Sequence, residues 1–196
     1  MNKTVKKLIP MNVITGFLGS GKTSLLRNLL KLKSMSNTLV LVNEFGEVGL
    51  DHEMMERLDK DTVLLQSGCI CCTIREDLTS TLSELLDRRF SKEISFSRVI
   101  LETTGLADPS PIIYSICKGN IIKNNYRLSN VITTVDAING IIHMNENYES
   151  KKQIAVADRI MITKSDINKN NLSEILQNVK ELNPSAPIFY NNKKFS

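Results

Sequence analysis

The chain has 196 residues, 41% of them hydrophobic, and its 25 basic and 21 acidic side chains give a formal net charge of +4. This length suits one α/β domain with a full core and is short for two large domains. No apolar run reaches the roughly 18–20 residues that cross a bilayer, and the basic start, 1–10, lacks the apolar segment of a secretory signal. We therefore expect a cytoplasmic protein without a membrane partner. The dispersed lysines, with no aromatic platform among them, argue against nucleic-acid binding.

Short apolar runs alternate with helical patterns along the chain. The predicted strands are 11–15, 38–42, 63–66, 98–101, 131–135, 159–163 and 186–190. The predicted helices are 22–33, 73–90, 111–117 and 172–182, and His143 is expected to be solvated on a further surface helix. The polar segment 120–129 is predicted to be a loop. Continuous apolar strands that alternate with helices predict an α/β fold, with a mostly parallel central sheet and helices on both faces.

A glycine-rich motif, G-F-L-G-S-G-K-T, lies between the first predicted strand and the first predicted helix. This context favours a phosphate-binding loop over a chance glycine-rich turn. Glycines let the backbone approach phosphates closely, while backbone amides and the helix N-terminus supply donors. We expect Lys22 to reach the β and γ phosphates and the Thr23 hydroxyl to ligate Mg²⁺. The predicted nucleotide-binding residues of this segment are Gly16, Gly19, Ser20, Gly21, Lys22, Thr23 and Ser24.

An acidic residue, Glu102, ends the apolar run of the fourth predicted strand and is followed by Thr103-Thr104-Gly105. In phosphate-loop folds an acid at this place lies beside the γ-phosphate and Mg²⁺. Glu102 is therefore predicted to hold the water shell of the metal or to position the attacking water, with a helix cap as the alternative. Lys22, Thr23 and Glu102 are the predicted catalytic residues.

The segment Thr163-Lys164-Ser165-Asp166 resembles the guanine-reading motif N-K-x-D, with threonine where asparagine is commoner. A carboxylate such as that of Asp166 accepts two hydrogen bonds from the guanine N1–H and exocyclic amine, which adenine does not offer. The stem of Lys164 would cover the face of the base. Thr163, Lys164 and Asp166 are therefore predicted to bind the base and to favour GTP.

Three of the four cysteines, Cys69, Cys71 and Cys72, lie within four consecutive positions. In a reducing compartment such a cluster favours a metal site, and zinc or copper(I) prefers thiolates. Three thiols do not complete a four-ligand site, so the fourth ligand is left to a carboxylate such as Glu47, a water or a partner's residue. Redox chemistry and simple burial of the thiols are the alternatives.

Together these residues resemble the CobW-type metallochaperone GTPases over nearly the whole chain. The matching segments are Gly16 to Thr23, Asn43 to Glu47, Gly68 to Cys72, Glu102 to Gly105 with Ala107 to Pro109, Val135 to Ala137, and Thr163 to Asp166. The resemblance implies a slow phosphate-loop GTPase that uses GTP/GDP, Mg²⁺ and Zn²⁺ or another divalent metal, and that delivers the metal to a client metalloprotein. Family members usually carry a second, C-terminal domain, so we expect 1–196 to be the single GTPase domain without it.

Three functions follow from these patterns. The first is GTP hydrolysis coupled to metal handling, with slow intrinsic turnover and with a partner or a second copy in a homodimer completing the site. The second is a phosphate-loop kinase of a small metabolite, although the sequence shows no arginine-rich lid and the thiol turn would then be unexplained. The third is a non-enzymatic metal-binding module that uses the nucleotide only as a structural ligand.

Overall fold

A parallel β-sheet organises the part of the chain that the structure describes. The computed structural model describes residues 7–42, 62–64, 73–118, 120–167 and 171–190. The strands are β1 (Ile9–Gly16), β2 (Thr38–Val42), β3 (Thr62–Leu64), β4 (Arg98–Glu102), β5 (Tyr126–Asp136), β6 (Arg159–Thr163) and β7 (Ile188–Tyr190). Their order across the sheet is β3-β2-β4-β1-β5-β6-β7, and each neighbouring pair runs parallel.

Helices connect the strands. They are α1 (Lys22–Leu30), α2 (Thr73–Phe90), α3 (Ser110–Lys118), α4 (Asn120–Lys123), α5 (Gly140–Glu146), α6 (Tyr148–Ala155) and α7 (Leu172–Leu182), and a short 3₁₀ turn covers Lys33–Met35. None of the helices within the described ranges has the length and apolar character needed to cross a membrane. The predicted α/β fold with a parallel sheet is confirmed.

Apolar side chains pack on both faces of the sheet because successive residues of a strand point to opposite sides. On one face, Met11 and Val13 of β1 join the core cluster that contains the buried leucines of α2 and the isoleucines of α3. On the other face, Ile14 packs with Leu26 of α1 and with residues of β2 and β4. A third cluster surrounds Ile160 and Ile162 of β6 and includes residues of α5, α6 and α7.

The largest differences between the predicted and the observed elements are at 120–129 and at the end of α1. The segment 120–129, predicted to be a loop, contains α4 and the first four residues of β5. Tyr126 is buried and pairs in register with Ile9 of β1, so backbone pairing extends the strand through polar residues that have no apolar pattern. Helix α1 ends at Leu30 rather than at residue 33, because the chain tightens into the 3₁₀ turn at Lys33–Met35.

Leu82 tests the packing of α2 against the sheet. Its side chain is fully buried, whereas Phe90 on the same helix is 62% exposed. We expect Leu82→Ala to lower the free energy of unfolding by about 2–5 kcal/mol. The removed methyl groups no longer contribute their free energy of transfer from water, and the smaller side chain leaves a cavity. Phe90→Ala should change the free energy of unfolding by about 0.5 kcal/mol or less. Urea denaturation of both variants measures the difference, and equal losses would contradict this packing.

Candidate functional site

The carboxyl ends of four strands meet at one edge of the sheet. β1 ends at Gly16, which pairs in register with Thr134 of β5. Ile14 of β1 pairs with Glu102 at the end of β4, and Asp136 at the end of β5 pairs with Thr163. Strands β4 and β5 lie on opposite sides of β1 although they are consecutive in the chain, which is the switch point where open parallel sheets bind ligands. Three motifs that are far apart in the sequence therefore meet here.

The phosphate loop between β1 and α1 needs its glycines for two different reasons. Gly16 has φ +141°, and a Cβ there would lie 2.3 Å from Thr134 Oγ1, so the loop passes too close to β5 for any side chain. Gly19 and Gly21 have φ +68° and +88°, a left-handed conformation that favours glycine. No side chain caps α1 and its first turn holds no acidic residue, so the N-terminal donors suit an anionic ligand.

Lys22, Thr23 and Glu102 lie together at the start of α1. Lys22 is buried and its ammonium donates to the Phe17 carbonyl oxygen at 3.2 Å, so it folds back over the loop. The Thr23 hydroxyl donates to Glu102 Oε1 at 2.7 Å, and the Glu102 side chain is buried at the end of β4. A hydroxyl and a carboxylate side by side are the oxygen ligands that Mg²⁺ accepts. The residues present therefore fit a magnesium ion held beside the glycine cradle.

Ser20 fastens the phosphate loop to the two strands on one side of β1. Its hydroxyl lies 2.6 Å from Thr134 Oγ1 of β5. Its carbonyl oxygen accepts a hydrogen bond of 2.7 Å from the Thr163 hydroxyl at the end of β6. Thr163 is buried, so its hydroxyl serves the loop backbone. The residue in the asparagine position of the base-reading motif thus holds the phosphate loop in place.

Lys164 is held in a fixed position by Asp136, which is not among the predicted site residues. The Lys164 ammonium lies 2.7 Å from Asp136 Oδ2 and donates to the Gly19 carbonyl oxygen at 2.9 Å. The Asp136 carboxylate is buried and also accepts from the Ile138 amide at 2.7 Å. The sequence signal was an acid directly after a buried strand, the same signal that identified Glu102.

His143 lies on a helix, α5, as predicted, but its side chain is only partly solvated. It is half-buried, and the centroid of its ring lies 4.7 Å from that of Phe17 in the phosphate loop. Burial lowers the pKa of His143, while the charge of Asp136 acts in the opposite direction. Gly140 lets α5 approach β5, since a Cβ there would lie 3.1 Å from Val135 Cγ1. This close approach brings His143 to the loop.

The remaining predicted residues divide into two groups. Ser24 and Asp166 are described and exposed, Ser24 on α1 and Asp166 shortly after β6. The predicted zinc ligands Cys69, Cys71, Cys72 and Glu47 lie outside the described residues. Within the ranges that the structure does describe, no group of three or more metal-binding side chains is present. The geometry therefore bears on the nucleotide half of the predicted site.

The parallel sheet, the glycine loop at its switch point and the acid at the end of β4 define a phosphate-loop nucleotide-binding domain. The family model described as "CobW/HypB/UreG, nucleotide-binding domain" matches residues 10–190. The chain belongs to this family, as the resemblance in the sequence implied.

Relatives and solved structures agree with this assignment. The chain is 35% identical over 181 residues to the zinc chaperone YjiA of Escherichia coli, covering 92% of this chain and 57% of that protein. It is 32% identical over 188 residues to the zinc-regulated GTPase metalloprotein activator 1 of Schizosaccharomyces pombe, covering 92% of this chain and 45% of that protein. The crystal structure of Zn(II)-bound YjiA GTPase from E. coli superposes with a TM-score of 0.72 at 31% identity, over 93% of this chain and 57% of that chain. The chain thus spans about half the length of these relatives.

A more distant structure has the same fold. The structure of HypB from Helicobacter pylori in complex with nickel has a TM-score of 0.65 at 20% identity, covering 94% of this chain and 79% of that chain.

The tether between Thr163 and Ser20 can be tested by two substitutions. Thr163→Val keeps the shape of the side chain but leaves the buried Ser20 carbonyl without this donor, so we expect a loss of about 1–3 kcal/mol in the free energy of unfolding. We also expect weaker GDP binding, because the loop is less well ordered. Thr163→Ser keeps the hydroxyl and should bind GDP as the parent does. Denaturation and calorimetric titration measure both effects, and equal GDP affinity in Thr163→Val and Thr163→Ser would contradict the tether.

Proposed function

We propose that this chain binds GTP with Mg²⁺, hydrolyses it slowly to GDP and phosphate, and uses the nucleotide state to control binding and transfer of zinc or a similar divalent metal. The observation that carries the nucleotide half is the 2.7 Å hydrogen bond between the Thr23 hydroxyl and the Glu102 carboxylate, directly after the glycine cradle. The similarity to proteins named as a zinc chaperone and a zinc-regulated GTPase supports the metal half.

The residues of the loop have separate tasks in this reaction. The amides of the loop and of α1 bind the phosphates, and Lys22 leaves the Phe17 carbonyl to contact the β and γ phosphates. Thr23 and Glu102 would hold Mg²⁺, which neutralises charge on the phosphates when it is bound. Glu102 also orients the attacking water, either directly or through its hydrogen bonds. The burial of Glu102 fixes its carboxylate before the nucleotide arrives.

The base lies over the segment after β6 in this proposal. Asp136 and the Gly19 carbonyl hold the ammonium of Lys164, so the stem of this lysine is ordered in advance and can cover the base face. Asp166 then accepts the two guanine hydrogen bonds, and an adenine would leave the carboxylate unsatisfied. Thr163 supports this arrangement because its hydroxyl donates to the Ser20 carbonyl oxygen of the phosphate loop. We therefore propose a preference for GTP over ATP.

The metal half of the proposal depends on the segment between β2 and α2. β2 ends at Val42, which pairs in register with Glu102, so the chain leaves β2 next to the nucleotide site before it reaches Glu47. The three clustered cysteines directly precede α2, which begins at Thr73. We propose that Cys69, Cys71, Cys72 and Glu47 bind zinc, and that a client metalloprotein receives it, with a homodimer as a candidate assembly.

Lys22 tests the hydrolysis proposal. Lys22→Ala removes the side chain that would contact the β and γ phosphates, so kcat/KM for GTP should fall by about 10²–10³-fold. Lys31→Ala, at an exposed position directly after α1, is the matched control and should hydrolyse GTP as the parent does. Phosphate release from GTP and from ATP measures turnover and base preference. A parent chain that releases no phosphate from GTP, or that phosphorylates an added metabolite, would contradict the proposal.

The cysteine cluster tests the metal proposal. Changing Cys69, Cys71 and Cys72 together to serine should weaken zinc binding by at least about 100-fold. Even the loss of a residue that only hydrogen-bonds to a metal ligand typically lowers metal affinity by about 10–100-fold. Cys117→Ser is the matched control, since this thiol is exposed and lies far from the cluster in the sequence. Competition with a chromophoric zinc chelator measures the affinity. Unchanged zinc affinity in the triple variant would contradict the proposal that these cysteines bind zinc.

A further inference from the structure

We propose that Lys152 and Gln153, adjacent residues of α6, form a latch that positions residues 105–108 beside the phosphate loop and thereby sets the rate of GTP hydrolysis. The latch is defined here as these two side chains and their contacts with Gly105, Ala107 and Asp108. The proposal rests on the proposed GTPase function. It assigns both side chains as positioning residues, because they act on the segment that follows Glu102 and not on the nucleotide itself.

Gln153 forms the buried half of the latch. Its side chain is fully buried, and its amide nitrogen donates to the carbonyl oxygens of Gly105 and Ala107, both at 3.0 Å. Two acceptors at this distance fix the orientation of the amide, because its oxygen would repel both carbonyls. One side chain therefore holds the backbone of the segment at two points.

The other atom of the same amide shows that this arrangement has a cost. Gln153 Oε1 is buried with no hydrogen-bond partner among the described residues. A buried acceptor without a donor destabilises the folded state, and such groups in a native structure call for an explanation. An apolar side chain would avoid this cost but would release both backbone carbonyls. The two hydrogen bonds to the Gly105 and Ala107 carbonyl oxygens explain why an amide side chain occupies position 153.

Lys152 forms the half-exposed part of the latch. Its ammonium lies 2.7 Å from Asp108 Oδ2, and the side chains are 37% and 30% exposed. Partial burial raises the pKa of Asp108, but hydrogen bonds from Lys152 and Ser110 outweigh this effect and hold the pKa below its ordinary value. The same hydrogen bond raises the pKa of Lys152. The pair is therefore ionised at neutral pH and can be broken without opening the core.

Helix α6 is anchored firmly enough to position a loop. The Thr133 hydroxyl of β5 donates to the Gln153 carbonyl oxygen at 2.6 Å. At the end of the helix, the Asn183 amide donates to the carbonyl oxygens of Ile154 and Ala157, both at 2.9 Å. The latch residues thus stand on an element that is fixed to the sheet and to the end of α7.

The held segment lies directly against the phosphate loop. A Cβ built on Gly105 would lie 2.6 Å from the Leu18 backbone nitrogen, so the two backbones are in close contact. On its other side, the segment continues from Glu102 through Thr103, whose amide donates to the Ile14 carbonyl oxygen at 3.0 Å. Residues 105–108 are therefore fixed by β4 at one end and by α6 at the other. A shift at the latch would move backbone that contacts the phosphate loop.

The ion pair gives a test that does not depend on core folding. We expect Lys152→Met to lower kcat for GTP by about 10–100-fold, the loss typical of a misplaced catalytic segment, with GDP affinity unchanged within about twofold. Lys152→Arg should have the kcat of the parent, because arginine keeps the positive charge beside Asp108. Lys151→Met, an exposed neighbour on the same helix, is the matched control and should match the parent.

A double-mutant cycle separates the latch from a general loss of stability. Asp108→Asn removes the charge while keeping an oxygen for the Ser110 amide, which donates to Asp108 Oδ1 at 2.9 Å. Lys152 also contacts the ring of Tyr148, at 4.7 Å from its centroid. Asp108→Asn combined with Lys152→Met should therefore lower kcat no further than Lys152→Met alone, because the ion pair is already lost in that variant. Gln153→Met should lower kcat at least as far as Lys152→Met.

The outcomes distinguish the latch from the proposed function. If the parent and Lys151→Met hydrolyse GTP and Lys152→Met equals them in kcat, the latch is wrong and the GTPase stands. If kcat falls in Lys152→Met only together with GDP affinity and melting temperature, the pair is merely structural and the latch is wrong. If the parent hydrolyses no GTP, both proposals fall.

Discussion

The nucleotide site depends on the fastening of the phosphate loop at Ser20. Gly16, Gly19 and Gly21 are needed for close approach and positive φ, yet glycine loses more backbone freedom on folding than any other residue. The neighbouring strands offset this loss. Thr134 contacts the Ser20 hydroxyl, Thr163 bonds to its carbonyl oxygen, and Lys164 bonds to the Gly19 carbonyl oxygen. The loop is therefore held in shape by β5 and β6 before a nucleotide binds, which lowers the cost of ordering it on binding.

The same edge of the sheet places the phosphate loop beside the ends of β4, β5 and β6. Because β4 and β5 flank β1, Glu102 lies on one side of the loop and Asp136 with Thr163 on the other. α6 adds a third support by holding the segment after Glu102 through Gln153 and Lys152. β2 leaves this edge at Val42, in register with Glu102, toward the part of the sequence that carries Glu47 and the clustered cysteines.

Local patterns in the sequence predicted most of the sheet and the phosphate loop, because buried parallel strands are continuous apolar runs and the glycine spacing is specific. The extension of β5 to Tyr126 could not be predicted in this way, since it depends on pairing with Ile9 rather than on its own residues. The environment of His143 depends on the approach of α5 to β5, which only the folded chain shows. The roles of Asp136 and Gln153 also required the fold, because their partners are distant in sequence.

The most direct test of the whole account compares zinc affinity in three states of one protein: nucleotide-free, bound to GDP with Mg²⁺, and bound to a non-hydrolysable GTP analogue with Mg²⁺. A nucleotide that controls metal transfer must change the affinity of the protein for the metal. A ligand with equal affinity for two conformational states does not change the equilibrium between them. We expect zinc dissociation constants that differ by at least about fivefold between the GDP and GTP-analogue states. Equal constants in all three states would contradict it.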